Sequence, residues 1–440
     1  MKMTRTLEAG RISAPELSRI AQPPRADADQ QTLTRIFSDA GVEMNGNDPA
    51  DIRVHDKRFY RRVMAHGTLG FGESYMEGWW DCGDIEEMCF RAIRHHLEDK
   101  LRPHVSTIVE VALAGVLHFH SKSHNLLLES NHYDLENDFF KSMLDPSMQY
   151  SCAYFQETDD LEIAQRLKMA LICKKLGLKP GMKLLDIGCG WGGLAKYAAE
   201  ACGCTVTGIT ISKNQKAYAE KSCAGLPVDI RLQDYGEIEE PFDRIVSVGM
   251  LEHVGYKNYR KYMEVAHRCL KNDGQFLCHT IATNRSGKTC DPWITHYVFP
   301  NSMLPSAAQV LRASEGLFVL EDVQNLAPHY VLTLRKWREA FEKSSNKFGS
   351  RYGDQFIRMW RFYLLSCAGA FRARSLQVFQ FMFSKDGARN EDALSAGPPA
   401  RSLLPHPRDL PVQRPGKPRS TGTSEDLPDC GQGGEARHFF

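Results

Sequence analysis

Residues 184–195 read LLDIGCGWGGLA. An apolar run ends on an acidic residue, Asp186, then turns through Gly188, Gly190 and Gly192 into LAKYAAEAC, which reads as a helix. Strand, glycine loop and helix in that order make a ligand cradle. The glycines let a ligand approach the backbone, and the helix start offers unpaired N–H groups. A glycine loop alone does not name its ligand, since dinucleotide sites look similar. Asp186 lies inside the motif, within reach of a ligand amino group. The end of the next strand, TGITISKNQ, carries Thr210, Ser212 and Gln215 where a dinucleotide fold places Asp or Glu for the ribose. Asp234, in LQDY at the end of the third strand, suits an adenine amine. These features favour S-adenosylmethionine over NAD; a structural glycine turn in another α/β enzyme is the competing reading.

Outward from the loop, helices and buried strands alternate. LEIAQRLKMALICKKLG (161–177) reads as a helix, CTVTGITI (204–211) as a strand and SKNQKAYAEKSCAG (212–225) as a helix. VDIRLQD (228–234) and FDRIVSVG (242–249) follow as strands, then KNYRKYMEVAHRCLKNDG (257–274) as a helix and GQFLCHTI (274–281) as a strand. This predicts an α/β fold: a doubly wound, mostly parallel sheet covered on both faces. Upstream, residues 31–125 read as a small, mainly helical domain. It holds LTRIFSDAG, DKRFYRRVMAHG ending at Gly67, an aromatic, glycine-rich turn region FGESYMEGWWDCGD (71–84), the helix IEEMCFRAIRHHLEDKL (85–101) and an amphipathic helix at 104–120. Residues 1–30 form a polar segment with QPPRADADQQ as a linker, and 126–385 the catalytic domain. Residues 386–440 are rich in Pro, Gly and Arg without periodicity; they read as a disordered tail, or as an altered reading frame joined to a real protein.

The 440 residues carry a formal net charge of +1, which argues against bulk nucleic-acid binding. Thirteen cysteines occur without a CxxC pair, and the N-terminus lacks an apolar signal region, so reduced cysteines in a cytoplasmic protein are expected. Cys202 and Cys204 have no partners at zinc spacing, and no metal is expected. The longest apolar stretch, 105–119, contains Glu110 and is too short to span a bilayer; any lipid role would be exercised from the membrane surface.

Polar residues gather where the strands end, which is where open parallel sheets bind ligands. FDRIVSVGM runs into LEHVG, placing Glu252 and His253 there, and GQFLCHT delivers His279. Glu252 suits the orientation of a base, and His279 suits the same task or titration near neutrality. Trp293, Tyr297, Phe299 and Tyr330 either line a pocket or fill a core. Cys152, in MQYSCAYF, reads equally as nucleophile, metal ligand or wall.

HYDLENDFFKSMLDPSMQYSCAYF, LDIGCGWGGLA, GITISKNQ, SVGMLEHVG, WITHYVFPNSMLPS and CAGAFRAR together resemble the bacterial cyclopropane-fatty-acyl-phospholipid synthases over roughly residues 30–385. The resemblance implies a class I methyltransferase fold. It implies methylene transfer from S-adenosylmethionine to the cis double bond of a phospholipid acyl chain, through a carbocation deprotonated by bound bicarbonate. It implies a bicarbonate cage of Cys152, Glu252, His279 and Tyr330 with the backbone of Ile281, so that Cys152 would be one wall of an anion site. Tyr150 and Ser151 match cofactor-contacting positions, and Tyr133 would help close the site. Cys367, in CAGAFRAR, matches a position labelled catalytic in the family, although the mechanism gives a thiol no task. Arg372 and Arg374 are either structural or face lipid headgroups. The implied partners are a membrane phospholipid with unsaturated chains, the inner membrane surface and a second copy of the chain. Glu136 stands where the family has a small residue, and Ser302 where it has Gly, in a loop expected to need φ > 0. A methyltransferase of the same fold acting on another acceptor, and an inactive lipid-binding relative, remain alternatives.

Overall fold

The computed structural model describes residues 26–100 and 137–387. Tyr133, Glu136, the helix expected at 104–120, residues 1–25 and the tail beyond 387 lie outside the described residues. The described chain opens with helix α1 (Ala26–Ser38), strand β1 (Ile52–Val54), helix α2 (Arg58–Met76), strand β2 (Trp80–Cys82) and helix α3 (Ile85–Arg94). β1 and β2 pair antiparallel.

Three local expectations change here. ADADQQ is helix rather than linker, because Asp27 and Asp29 fall in the first turn of α1, where carboxylates suit the helix dipole. Gly67 breaks α2 as expected (φ 56°, ψ −131°), but the helix resumes through residues 71–76 instead of turning. Its glycines serve close packing: a Cβ on Gly70 would lie 2.5 Å from the Arg62 carbonyl oxygen, and one on Gly72 2.4 Å from the Trp293 ring. The long helix at 85–101 stops at Arg94, since His96 is left-handed (φ 54°), and only a further turn, Leu97–Lys100, follows.

Helices α4 (Asn137–Met143) and α5 (Leu161–Lys175) lead into the alternating part of the chain. There follow β3 (Lys183–Ile187), α6 (Gly193–Cys202), β4 (Thr205–Thr210), α7 (Lys213–Ser222), β5 (Val228–Leu232), β6 (Phe242–Val248), α8 (Tyr259–Cys269) and β7 (Leu270–Thr283). Then come α9 (Pro292–Tyr297), α10 (Ala307–Ser314), β8 (Val319–Asn325), two long helices α11 (Ala327–Tyr352) and α12 (Asp354–Arg372), and β9 (Leu376–Ser384). The helix expected to Gly274 ends five residues early. Leu270 is already extended and buried, and its place opposite Phe242 in the sheet outweighs helix propensity.

Among the described residues the main sheet has seven strands in the order β5-β4-β3-β6-β7-β9-β8. β5 to β7 are parallel, and β9 and β8 complete one edge antiparallel. Successive residues feed opposite faces. Leu184, Val246, Leu277 and Met382 pack with α5 and α6, while Leu185, Ile245, Phe276 and Phe381 pack with α8 and α10. A third, aromatic core joins α2, α3, α11 and α12 around Trp80, Trp337, Trp360 and Phe362. Each such side chain buried contributes about 2–3 kcal/mol. The chain runs outward from β3 to β5, then returns to β6 on the other side of β3. The loops after β3 and β6 therefore flank the switch point, where open sheets form ligand crevices.

Candidate active site

The loop after β3 is built on left-handed glycines: Gly188 (φ +81°), Gly190 (φ +55°) and Gly192 (φ +81°). A side chain at Gly188 would meet Met250 of the β6 loop at 3.3 Å, which fixes how near the two loops run. A Cβ on Gly190 would meet nothing within 4 Å, so the loop's backbone faces open space. Asp186 is buried, and its Oδ2 has no partner. Burial pushes its carboxyl up to about 7, against the pull of the Lys168 charge. A buried carboxyl oxygen without a donor, beside an open glycine cradle, fits the ammonium-bearing end of S-adenosylmethionine.

At the tip of β4, Thr210 Oγ1 donates to Gln215 Oε1 at 2.9 Å and Ser212 caps α7 by accepting from Gln215 N–H at 3.3 Å. The three predicted residues thus meet, bonded to one another. Asp234 is exposed at the end of β5 and accepts from Gly236 N–H at 2.8 Å. Trp191 Nε1 donates to Asn137 Oδ1 at 2.8 Å, and Asn137 Nδ2 to Asn214 Oδ1 at 3.3 Å, tying α4 to the loop and to α7.

The segment holding Tyr150, Ser151 and Cys152 lies on α5. Gln165 Nε2 donates to the Ser151 carbonyl at 2.9 Å, and the buried Lys168 Nζ donates to Ser151 Oγ at 3.0 Å and to Gln149 Oε1. Tyr150 OH donates to Tyr363 OH at 3.1 Å, and its ring packs with Phe140, Trp337 and Phe299. Cys152 is buried and faces the carbonyls of Ala153 (3.3 Å) and Leu326 (3.6 Å). Burial drives its thiol far above the ordinary range, so the sulfur keeps its proton.

Glu252 is buried after β6. Its Oε1 accepts from Ile281 N–H at 2.6 Å, and its Oε2 has no partner. Desolvation raises the carboxyl to about 7. Tyr330, on α11, belongs to the same buried cluster as Cys152 and Ile281, and lies within electrostatic reach of Cys152, Tyr150 and Glu252. His279 and Ile281 point to the same side of β7, two residues apart. The Nδ1 of His279 is 3.3 Å from Gln380 Nε2 on β9. With the amide as donor, the imidazole proton sits on Nε2. Burial lowers this His to about 3, so the expectation of titration near neutrality fails. His253, half-buried, is lowered to about 4 by desolvation and packs against Phe299.

Trp293 proves to be core, against Gly72 and Met76, and Tyr297 OH donates to Glu73 at 3.1 Å; Phe299 and Tyr330 face Tyr150 and Phe371 beside the site. Cys367 is half-buried on α12, and burial pushes its thiol up to about 12. Arg372 is structural: it pairs with Glu86 (3.4 Å) and Glu87 of α3. The left-handed residue in the 299–304 loop is Asn301 (φ 60°), not Ser302, so the serine carries no backbone strain. Sequence reasoning missed Gln149, Gln165, Lys168, Asn137 and Gln380. The signal for two of them was present: Gln165 and Lys168, three apart, interrupt an apolar helical run.

A glycine cradle at the switch point with a buried carboxyl at the strand end defines an S-adenosylmethionine-dependent class I methyltransferase. The model of the mycolic acid cyclopropane synthetase family matches residues 120–381. The chain is 48% identical over 350 residues to the cyclopropane-fatty-acyl-phospholipid synthase of Escherichia coli (strain K12), covering 80% of this chain and 92% of that protein. The cyclopropane synthase MmaA2 of Mycobacterium tuberculosis superposes with a TM-score of 0.55 at 37% identity, over 58% of this chain and 96% of that one. The cyclopropane synthase CmaA1 in complex with S-adenosylhomocysteine gives 0.54 at 37% identity, with the same coverage of 58% and 96%. The chain belongs to the cyclopropane-fatty-acyl-phospholipid synthase family.

Proposed function

We propose that this enzyme converts the cis double bond of an unsaturated phospholipid acyl chain into a cyclopropane ring. The observation that carries the reading is the Glu252 carboxyl: buried, one oxygen on Ile281 N–H, the other without a partner, with Tyr330 within electrostatic reach both of it and of Cys152. Methyl transfer to an amine would need no proton-handling group at the transferred carbon, whereas ring closure does. When bound, S-adenosylmethionine supplies an electrophilic methyl carbon. The alkene's π electrons bond to that carbon, the C–S electrons leave with sulfur, and loss of one proton from the carbon closes the ring.

Asp186 and the glycine loop hold the donor, and the Tyr150–Ser151 segment fixes the wall beside it. The rings of Tyr150, Phe299, Tyr330 and Tyr363 exclude water and offer π faces to the positive charge that develops on the chain. A small oxyanion, bicarbonate by the family resemblance, fits beside Glu252 as the base. Glu252, raised to about 7, can share a proton with an anion instead of repelling it. Cys152 and Tyr330 stay protonated, and His279 stays neutral with its proton on Nε2, so all three act as neutral donors.

We assign contact with the membrane surface and with a second copy to residues 31–125, and catalysis to residues 126–385. No described helix is long and apolar enough to cross a membrane. Mass spectrometry of membrane lipids from cells making the protein tests the function. A gain of one CH2 on monounsaturated chains with loss of the double bond is expected; unchanged lipids overturn the reading. Sedimentation with anionic vesicles tests the surface contact, with salt-sensitive pelleting expected.

A further inference from the structure

Lys168 is a lysine in a place that packing alone does not ask for one. It sits in the middle of α5 with no side-chain exposure, among Ala164, Leu167 and Met169. Its hydrogen-bond partners are both neutral oxygens, Gln149 Oε1 and Ser151 Oγ. Among the described residues no carboxylate comes within 4.0 Å of it. Burying an ammonium costs several kcal/mol unless other groups offset it, and Met would fill the same volume without that cost. Two buried carboxyls lie within electrostatic reach, Asp145 and Asp186. Asp145 is occupied by the N–H groups of Ser147 and Gln149 at 2.9 Å each, whereas Asp186 Oδ2 is open.

We propose that Lys168 is a positioning residue of the cofactor site, clamping the Gln149–Cys152 segment onto α5 and setting the charge beside Asp186, so that both present one fixed surface to S-adenosylmethionine. Gln165, one turn earlier, completes the clamp by holding the Ser151 carbonyl at 2.9 Å. Three consequences meet in one strap of chain. Tyr150 is held in reach of Tyr363, Ser151 keeps its hydroxyl turned to the ammonium, and Cys152 is set against the Leu326 carbonyl. The loop just before it is fixed from the other side, since a Cβ on Gly193 would fall 2.1 Å from the Ser147 carbonyl oxygen. The strap therefore lies between α5 and the first turn of α6, with Lys168 as a cationic fastening.

The inference rests on the cofactor half of the proposed function, and its readout is independent of lipid chemistry. Calorimetric titration of the full chain with S-adenosylhomocysteine compares wild type, Lys168→Met and Ser151→Ala. For Lys168→Met the dissociation constant is expected to rise by about tenfold or more, as when a hydrogen bond to a charged group is removed. The melting temperature should change little, because the buried charge that Met removes offsets the two hydrogen bonds lost. The KM for S-adenosylmethionine should rise more than kcat falls. An unchanged dissociation constant, or a fall in melting temperature with affinity intact, overturns the proposal and leaves Lys168 a scaffold residue. If Lys168→Met does not fold, Ser151→Ala decides: weaker binding supports the clamp, and unaltered binding overturns it. A wild type that binds S-adenosylhomocysteine, loses affinity on Lys168→Met and yet makes no cyclopropane product would sink the function above and support this inference.

Discussion

The cofactor loop and the Glu252 pocket lie side by side, yet they are built on opposite principles. The loop is made by backbone: Gly188, Gly190 and Gly192 take left-handed conformations, and what they offer is space and N–H groups. The proposed pocket relies on side chains that lose water: Glu252, His279, Cys152 and Tyr330 are all buried, and each is pushed toward its neutral form. The first should be sensitive to sterics, with its response to pH confined to the adjoining Asp186. The second should tolerate changes of shape and respond to changes of charge.

Glu252→Gln tests the division most severely. Gln keeps an oxygen for Ile281 N–H and almost the same volume, but it cannot carry or yield a proton. Turnover should fall by about a thousandfold, in the range that a lost general acid–base group costs. The affinity for S-adenosylhomocysteine should hold within about twofold, since that ligand rests on the other region. Turnover near the wild-type level, measured as cyclopropane product per enzyme, would break the comparison at its centre.

The same variant sharpens the comparison through pH. In the folded protein Glu252 titrates at about 7 instead of near 4.5. The unfolded chain therefore ionises first, and the folded state binds more protons between those values. Wild-type stability contributed by this site is fully present below about 4.5 and is lost as pH rises to about 7. His279 and His253 act in the opposite sense at lower pH, because burial lowers them to about 3 and about 4. Their contributions are shared by both proteins and cancel in the difference. Relative to wild type, Glu252→Gln should gain stability from pH 5 to 7.5, by up to about 3 kcal/mol. Denaturant titrations at several pH values measure this. A difference that stays flat with pH would mean that the carboxyl is not desolvated.

The two regions also differ in how far they could be read from sequence. The loop is local: strand, Asp186, glycines and helix occupy twelve consecutive residues, and their chemistry is legible without a partner. Glu252 and His279 were legible too, because the ends of parallel strands converge whatever the side chains do. The remainder depends on partners far along the chain. Gln380 orients His279 from an antiparallel strand 101 residues later. Lys168 and Gln165 look like ordinary polar positions on a helix until the 149–152 segment is laid across them. Gly72 looks like a turn residue because the Trp293 ring it admits is more than two hundred residues away. Local signals failed also at Leu270, where a neighbouring strand overrode the helix that the sequence pattern continues.

Gly193→Ala probes the steric side. Gly193 is not left-handed, so backbone strain plays no part; the new Cβ would lie 2.1 Å from the Ser147 carbonyl oxygen and 2.5 Å from Gln149 Nε2. Backbone must move, at a cost of about 1–3 kcal/mol in stability. The affinity for S-adenosylhomocysteine should fall, and the loss should be the same at pH 6 and pH 8. A loss that depends on pH would show that the loop and the buried charges are one device and not two.

Cys367→Ala should do least, and it separates the chemistry of the pocket from mere nearness to it. The thiol sits on α12 within electrostatic reach of Tyr330 and Tyr363, close enough to be mistaken for a participant. Burial holds it protonated up to about 12. The proposed reaction, moreover, already has its nucleophile in the alkene, so a thiolate would have nothing to attack. Replacing sulfur with hydrogen should cost about 1 kcal/mol of packing and leave turnover within about twofold, since no step borrows the thiol. Turnover assayed well below the melting temperature checks this. A loss of a hundredfold without a change in melting temperature would give Cys367 a chemical role, and would extend the side-chain-built region one helix further than the buried carboxyl and its neutral donors require.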